Sequence, residues 1–216
     1  MYPPIKNDCI IQVVGPSGAG KTLFVCELLT GKDVFIQPIK HIHWLIGCDE
    51  GESGMTDCKM KLLKKVTFHK GFVSKWKELA KPGDCLVIDD LFDEANREKN
   101  FINIFTKIAR HRKIVVIFIT QNLFHQGGNH RTRNLNVHYL ILFRNPRDQT
   151  VIDYLARQMY PNDRLFLIEA FQDATQNKPH SYLFLDFTQQ CPDEIRVRTD
   201  VFNPLGITIY KQGKAM

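Results

Sequence analysis

Cys9-Ile10-Ile11-Gln12-Val13-Val14-Gly15-Pro16-Ser17-Gly18-Ala19-Gly20-Lys21-Thr22 is the stretch that decides the fold. The apolar run Cys9 to Val14 reads as a strand, Lys21 to Leu29 as the helix that follows, and Gly31 as its stop. Between them Gly15 to Thr22 meets the pattern G-x-x-x-x-G-K-[ST] in full, in the strand-loop-helix setting that gives it meaning. Such a loop turns backbone N–H groups onto a phosphate chain, with the positive end of the helix behind them. Lys21 adds a mobile positive charge for the β- and γ-phosphates, and Thr22 offers a hydroxyl to Mg²⁺. The ligand implied by this loop is ATP with Mg²⁺.

Outward from the loop, short β-branched runs alternate with longer helical segments, the pattern of a mainly parallel sheet flanked by helices. Further strands are expected over His41 to Ile46, Val66 to His69, Cys85 to Ile88, Ile114 to Thr120 and Val137 to Phe143. Helices are expected over Ser74 to Ala80, Ala95 to Arg110, Thr150 to Met159 and Asp163 to Ala174. The unbroken apolar runs Leu86-Val87-Ile88 and Ile114-Val115-Val116-Ile117-Phe118-Ile119 suit central strands buried on both faces. After about residue 180 the pattern changes, and Ser181 to Phe187 and Ile195 to Thr199 read as extra strands or an extended tail. Residues 1–216 thus read as one α/β domain, with a core over about 10–160 and a C-terminal extension over about 180–216. Two Gly-containing loops, Gly47 to Gly54 and Gln126 to Asn136, follow strands, where such sheets place ligand contacts.

A second motif lies at Cys85-Leu86-Val87-Ile88-Asp89-Asp90, an apolar strand ending in two carboxylates. A buried strand of this kind brings an acid to the metal side of a nucleotide pocket. Asp89 is placed to hold the Mg²⁺ shell through water, and Asp90 to orient or deprotonate an attacking water. The interval from Thr22 to Asp89 leaves room for two strands. At least one of these two should sit between the motif strands in the sheet if the chain belongs to the additional-strand (ASCE, RecA-like) class of P-loop NTPases. The strand ending Thr120-Gln121-Asn122 then sets Gln121 beside the γ-phosphate, where it can sense hydrolysis.

Composition narrows the field. With 44% hydrophobic and 24% charged residues the chain sits near the globular average, which excludes disordered and collagen-like classes. The six cysteines are scattered, without a C-x-x-C pair or zinc-finger spacing, and read as reduced, mostly buried thiols. No apolar run reaches bilayer length and the first residues lack a signal-peptide core, so neither membrane attachment nor secretion is expected. A net charge of +6 favours polyanionic partners, with the excess at Lys59 to Lys77 and Arg110 to Arg133.

Together these residues resemble the FtsK-HerA superfamily of DNA-pumping ATPases. Within it they are most similar to the small poxvirus-like genome-packaging ATPases of large DNA viruses, virophages and Polinton (Maverick) elements. The likeness runs from about Ile10 to Tyr160. It is carried by the Walker A loop Gly15 to Thr22, the Walker B stretch Leu86 to Asp90, Ile119-Thr120-Gln121-Asn122, and Leu135-Asn136-Val137-His138-Tyr139-Leu140-Ile141-Leu142-Phe143-Arg144-Asn145-Pro146-Arg147-Asp148. It implies a homo-oligomeric ring that hydrolyses ATP to drive double-stranded DNA into a capsid, with a capsid or portal protein as partner. It places the protein inside an infected host cell, in a cytoplasmic virus factory or the nucleus, with virion association left open. It also assigns Arg110 as an arginine finger entering the neighbouring subunit's site, with Arg112 as the fallback. The chain departs from the superfamily in one respect: Asp90 stands where Glu is usual, which leaves Asp93 and Glu94 as alternative contributors.

A DNA pump needs weak, repeated phosphate contacts rather than base readout. Lys59, Lys61, Lys64 and Lys65, and His130-Arg131-Thr132-Arg133, are the candidates. Two other functions use the same loop: a phosphotransferase of the nucleotide-kinase type, and a non-catalytic ATP-binding assembly factor. The twin acids followed by a Gln-tipped strand favour water as the nucleophile over the first, and the intact Lys21, Thr22, Asp89 and Asp90 argue against the second.

Overall fold

The computed structural model describes residues 4–47, 65–71, 76–91, 109–123, 136–176 and 178–213. Among the described residues nine strands form one sheet: β1 (Ile10–Val14), β2 (Ile42–Ile46), β3 (Val66–Lys70), β4 (Cys85–Asp89), β5 (Val115–Thr120), β6 (Tyr139–Phe143), β7 (Tyr182–Asp186), β8 (Val197–Thr199) and β9 (Thr208–Tyr210). The described helices are α1 (Lys21–Thr30), α2 (Trp76–Leu79), α3 (Ala109–Arg112), α4 (Thr150–Met159) and α5 (Arg164–Gln176). Spatial order in the sheet is β3-β2-β4-β5-β1-β6-β7-β8-β9. The first six of these strands run parallel, and β7, β8 and β9 are each antiparallel to the strand before.

Neither of the two strands that intervene in sequence separates the motif strands, contrary to expectation; β5, which follows both motifs in the chain, does so, pairing with β1 on one side and β4 on the other. The two strands that intervene in sequence, β2 and β3, lie beyond β4 instead. Composition explains why β5 takes the middle. All six of its residues are buried, which only a strand covered on both faces can use. Val116 and Phe118 pack with Leu140, Leu142, Ile152, Leu155 and Leu167 in the layer under α4 and α5. Val115, Ile117 and Ile119 join Val25, Leu28 and Trp44 in the layer under α1. At about 1.5–3 kcal/mol per buried large apolar side chain, this strand outweighs any single surface contact.

The change of pattern near residue 180 has a topological cause. The chain leaves β6, runs through α4, turns at Tyr160 to Asp163 and returns along α5. Two helices bring it back to the edge it left, so β7 must run antiparallel to β6. The extension is locked by Arg198, which is fully buried yet donates to Asp186 Oδ2 at 3.1 Å and Ile195 O at 2.6 Å, with its guanidinium 4.5 Å from the Phe184 ring centre. Strand β9 was not expected; three residues with Thr208 and Ile209 exposed carry too little periodicity to register.

Gly31 caps α1 as expected, but in an extended rather than left-handed conformation, with its N–H donating to Glu27 O at 2.9 Å. The expectation of six reduced thiols does not hold. Cys9, Cys85 and Cys191 are free and buried, whereas Cys26 is disulfide-bonded. Scattered spacing says nothing about which sulfurs meet once the chain is folded. Among the described residues, no helix is long and apolar enough to cross a membrane. Most of the helix expected over Ala95 to Arg110, the start of that over Ser74 to Ala80, and nearly all of the loops Gly47 to Gly54 and Gln126 to Asn136 lie outside the described residues.

Truncating the centre of β5 should be expensive. Phe118→Ala is expected to lower unfolding free energy by about 3–5 kcal/mol in urea titrations, a large part of the stability of an ordinary domain. A loss below about 1 kcal/mol would contradict the burial described for this side chain.

Candidate nucleotide site

Three parallel strands end together at one edge of the sheet, and each delivers a part of the site. Val14 pairs with Thr120 and Asp89 with Ile119, which sets the ends of β1, β4 and β5 level. The ladder then continues by one bond on each side of β5: Gly15 N donates to Thr120 O and Asp90 N to Ile119 O, both at 3.2 Å. The first residue of the phosphate loop and the last residue of the acidic motif are thereby tied to the same strand.

The loop after β1 turns sharply. Ala19 N donates to Pro16 O at 3.2 Å, and Gly18 and Gly20 take φ of 77° and 102°, values that favour glycine. Gly20 also lacks room for a side chain, because a Cβ there would stand 2.7 Å from the Cβ of His180. Lys21 opens α1 and is only 6% exposed. Its Nζ donates to Gly15 O at 2.7 Å and Pro16 O at 3.0 Å, so the ammonium lies across the loop. Burial lowers its pKa, while the charges of Asp90 and Asp89 oppose that shift. Thr22 follows on the first turn of the helix, half-buried.

Asp89 ends β4. Burial lifts its carboxyl to about 6; the Trp44 hydrogen bond draws it down, Asp90 pushes it up and Lys21 draws it down again. The Trp44 contact is a bond from indole Nε1 to Asp89 Oδ2 at 3.1 Å. Trp44 is fully buried on β2 and pairs with Val87, two residues before Asp89 on the adjoining strand, which brings the indole within reach. Asp90 leaves the strand with φ of 51° and is exposed. Aspartate tolerates this left-handed conformation better than most residues. Gln121 and Asn122 are exposed just past β5 and line a cleft with Gly15, Asn145 and Asp148.

This donor set fits Mg²⁺ accompanied by a triphosphate. Mg²⁺ keeps much of its water and takes one or two protein oxygens plus phosphates, rather than an all-protein cage. A single carboxylate, Asp89, held by an indole N–H and electrostatically coupled to Lys21, together with the hydroxyl of Thr22, meets that requirement. Among the described residues no group of three or more His, Cys, Asp or Glu side chains could hold a metal by itself.

The structure therefore gathers Lys21, Asp89, Asp90 and Gln121 around the loop. Arg110 lies on α3, the short helix preceding β5, and its side chain is outside the described residues, whereas Arg112 is half-buried at the end of that helix. Asp93, Glu94, Lys59, Lys61, Lys64 and His130 to Arg133 are also outside them; Lys65 is exposed just before β3. Three residues at the site were not singled out from the sequence. Trp44 carried a signal, since a tryptophan inside an apolar strand needs a partner for its N–H. Thr120, whose buried hydroxyl has no hydrogen-bond partner among the described residues, and His180 carried none.

Fold and loop together define a P-loop NTPase fold. No family model and no curated protein matches the chain. Among solved structures, it is similar to B204, the DNA-packaging ATPase from Sulfolobus Turreted Icosahedral Virus, at 13% identity and a TM-score of 0.58, over 98% of this chain and 100% of that one. It is also similar to the genome packaging NTPase B204 from Sulfolobus turreted icosahedral virus 2, in complex with ATP-gammaS, at 14% identity and a TM-score of 0.54, over 97% and 100% of the two chains. The AMP complex of the same NTPase aligns at 13% identity and a TM-score of 0.51, over 84% of this chain and 94% of that one. At such identities the likeness is one of fold.

The Asp89 carboxyl gives a pH signature. Because its folded-state pKa is raised from 3.8 to about 6, the folded protein keeps that proton to higher pH than the unfolded chain. Stability is then lost as pH rises through this window, by roughly 3 kcal/mol once both states have titrated. In Mg²⁺-free buffer, Asp89→Asn should gain on the order of 2 kcal/mol over wild type between about pH 4 and pH 7, read from urea unfolding. A difference that stays constant across this range would contradict the raised carboxyl.

Proposed function

We propose that the chain is an ATPase that uses hydrolysis to translocate double-stranded DNA during packaging of a viral or virus-like genome into a capsid. The observation that carries the ATPase reading is the convergence of Lys21, Asp89, Asp90 and Gln121 at the ends of three strands held in register by β5. The translocation reading is supported by the sequence resemblance and by a shared fold with a protein described as a DNA-packaging ATPase.

Each residue has a distinct task in this reading. Lys21 gives up the carbonyls of Gly15 and Pro16 and binds β- and γ-phosphate oxygens. Thr22 and Asp89 hold Mg²⁺, Asp89 through water, with Trp44 fixing the carboxylate. Bound Mg²⁺ supplies neutralisation of phosphate charge. Asp90 orients the attacking water and accepts its proton, and Gln121 hydrogen bonds to that water or to the γ-phosphate. Arg110 from a neighbouring subunit, or Arg112 in its stead, stabilises charge that grows on the transferred group; such a guanidinium can contribute about 10³–10⁵ in rate. Site completion in trans makes a homo-oligomeric ring the working form, with a capsid or portal protein as its partner and the infected cell as its setting. DNA is gripped through its phosphates by Lys59, Lys61, Lys64 and Lys65 or by Arg131 and Arg133.

Turnover of ATP should rise when double-stranded DNA of any sequence is added. That stimulation should shrink sharply between about 50 and 200 mM salt, because phosphate contacts release counterions. Lys21→Ala should lose ATP binding, whereas Asp90→Asn should keep it and lose hydrolysis. Turnover that ignores DNA and instead requires a hydroxyl acceptor would establish a kinase. ATP binding without multiple turnovers would establish an assembly factor.

A further inference from the structure

We infer that His180 forms the nucleoside side of the nucleotide site, its imidazole contacting the base and ribose of the ATP whose phosphates lie in Gly15 to Thr22; this rests on the ATP reading above. Sheet order fixes the direction in which the nucleotide runs. Asp89 at the end of β4, and Asp90 and Gln121 just past β4 and β5, are the groups suited to the γ-phosphate, and they lie on one side of β1. A triphosphate lying in the loop after β1 therefore points its nucleoside to the other side, over β6 and β7. The return of α5 to this edge brings the turn before β7 to that place, and the turn carries His180.

The contact with the phosphate loop is direct. His180 Nδ1 lies 3.1 Å from Ala19 O. A carbonyl only accepts, so Nδ1 carries the proton in this bond. The His180 side chain covers Gly20 so closely that any Cβ there would meet it. The turn is also held in place. His180 has φ of 59°, Ser181 Oγ donates to Lys178 O at 2.7 Å, and Lys178 Nζ reaches Asp200 Oδ2 at 3.3 Å.

His180 nevertheless remains exposed. One residue beyond Thr22, Leu23 is 49% exposed. Leu23 lies in the first turn of α1, directly after the loop. Behind them Phe24 is fixed by the rings of Tyr182 and Phe202, at centroid distances of 4.7 and 5.2 Å. An exposed imidazole and an exposed leucine on a rigid floor, beside the phosphate loop, suit a flat heteroaromatic base and its sugar. Neither side chain contributes to the core.

The test separates nucleoside contact from simple bracing of the loop. His180→Asn keeps an N–H donor for Ala19 O and a residue type that tolerates positive φ, and removes only the ring. Calorimetry on wild type, His180→Asn and Leu23→Gln would measure binding of Mg-ATP and of inorganic tripolyphosphate with Mg²⁺. In His180→Asn the ATP affinity should fall about tenfold, with tripolyphosphate unchanged. Leu23→Gln should show the same selectivity with a smaller loss. Equal weakening for both ligands, or no weakening for either, would overturn the assignment while leaving the ATP reading intact. Wild-type protein that binds neither ligand would overturn both.

Discussion

Strand β5, hydrogen-bonded between β1 and β4, is the constraint on which the site depends. Its ladder continues past the regular strands into Gly15 and Asp90, so the phosphate loop and the acidic turn share one backbone anchor. The hydrocarbon around this strand supplies the energy that keeps the anchor in place, since every β5 side chain is buried between the two helix layers. The candidate catalytic groups themselves lie at the strand ends and add little to that stability. The raised carboxyl of Asp89 even costs some of it.

That cost has a chemical counterpart. Lys21 is buried with its ammonium on two loop carbonyls, and Asp89 is half-buried with an indole N–H on one oxygen. Each charged group is thus partly compensated within the protein itself. Asp90 and Gln121 are exposed, which suits groups that meet water. The polar groups of the site are therefore unequal: those proposed to bind are sheltered, and those proposed to act on water are open.

Much of this was legible in sequence, for physical reasons that can be named. The run from Ile114 to Ile119 is apolar at every position, so its central place followed from two-sided burial. The glycine loop and the Asp89-Asp90 pair are local patterns, and the helix over Thr150 to Met159 was placed without error because its apolar stripe is strong. What stayed hidden depends on distant parts of the chain meeting. Trp44 reaches Asp89 across 45 positions and His180 reaches Ala19 across 161, through registers that no local pattern encodes. The disulfide at Cys26 and the position of β2 and β3 outside β4 escaped for the same reason.

In the proposed mechanism one chain carries Lys21, Asp89, Asp90 and Gln121 but needs a neighbour's arginine to hydrolyse ATP. The most direct measurement is ATP turnover per subunit as a function of protein concentration, with oligomeric state followed by sedimentation on the same samples. Turnover per subunit should rise steeply as the ring assembles and level off once assembly is complete. Full turnover per subunit from protein that sediments as a monomer would contradict the claim.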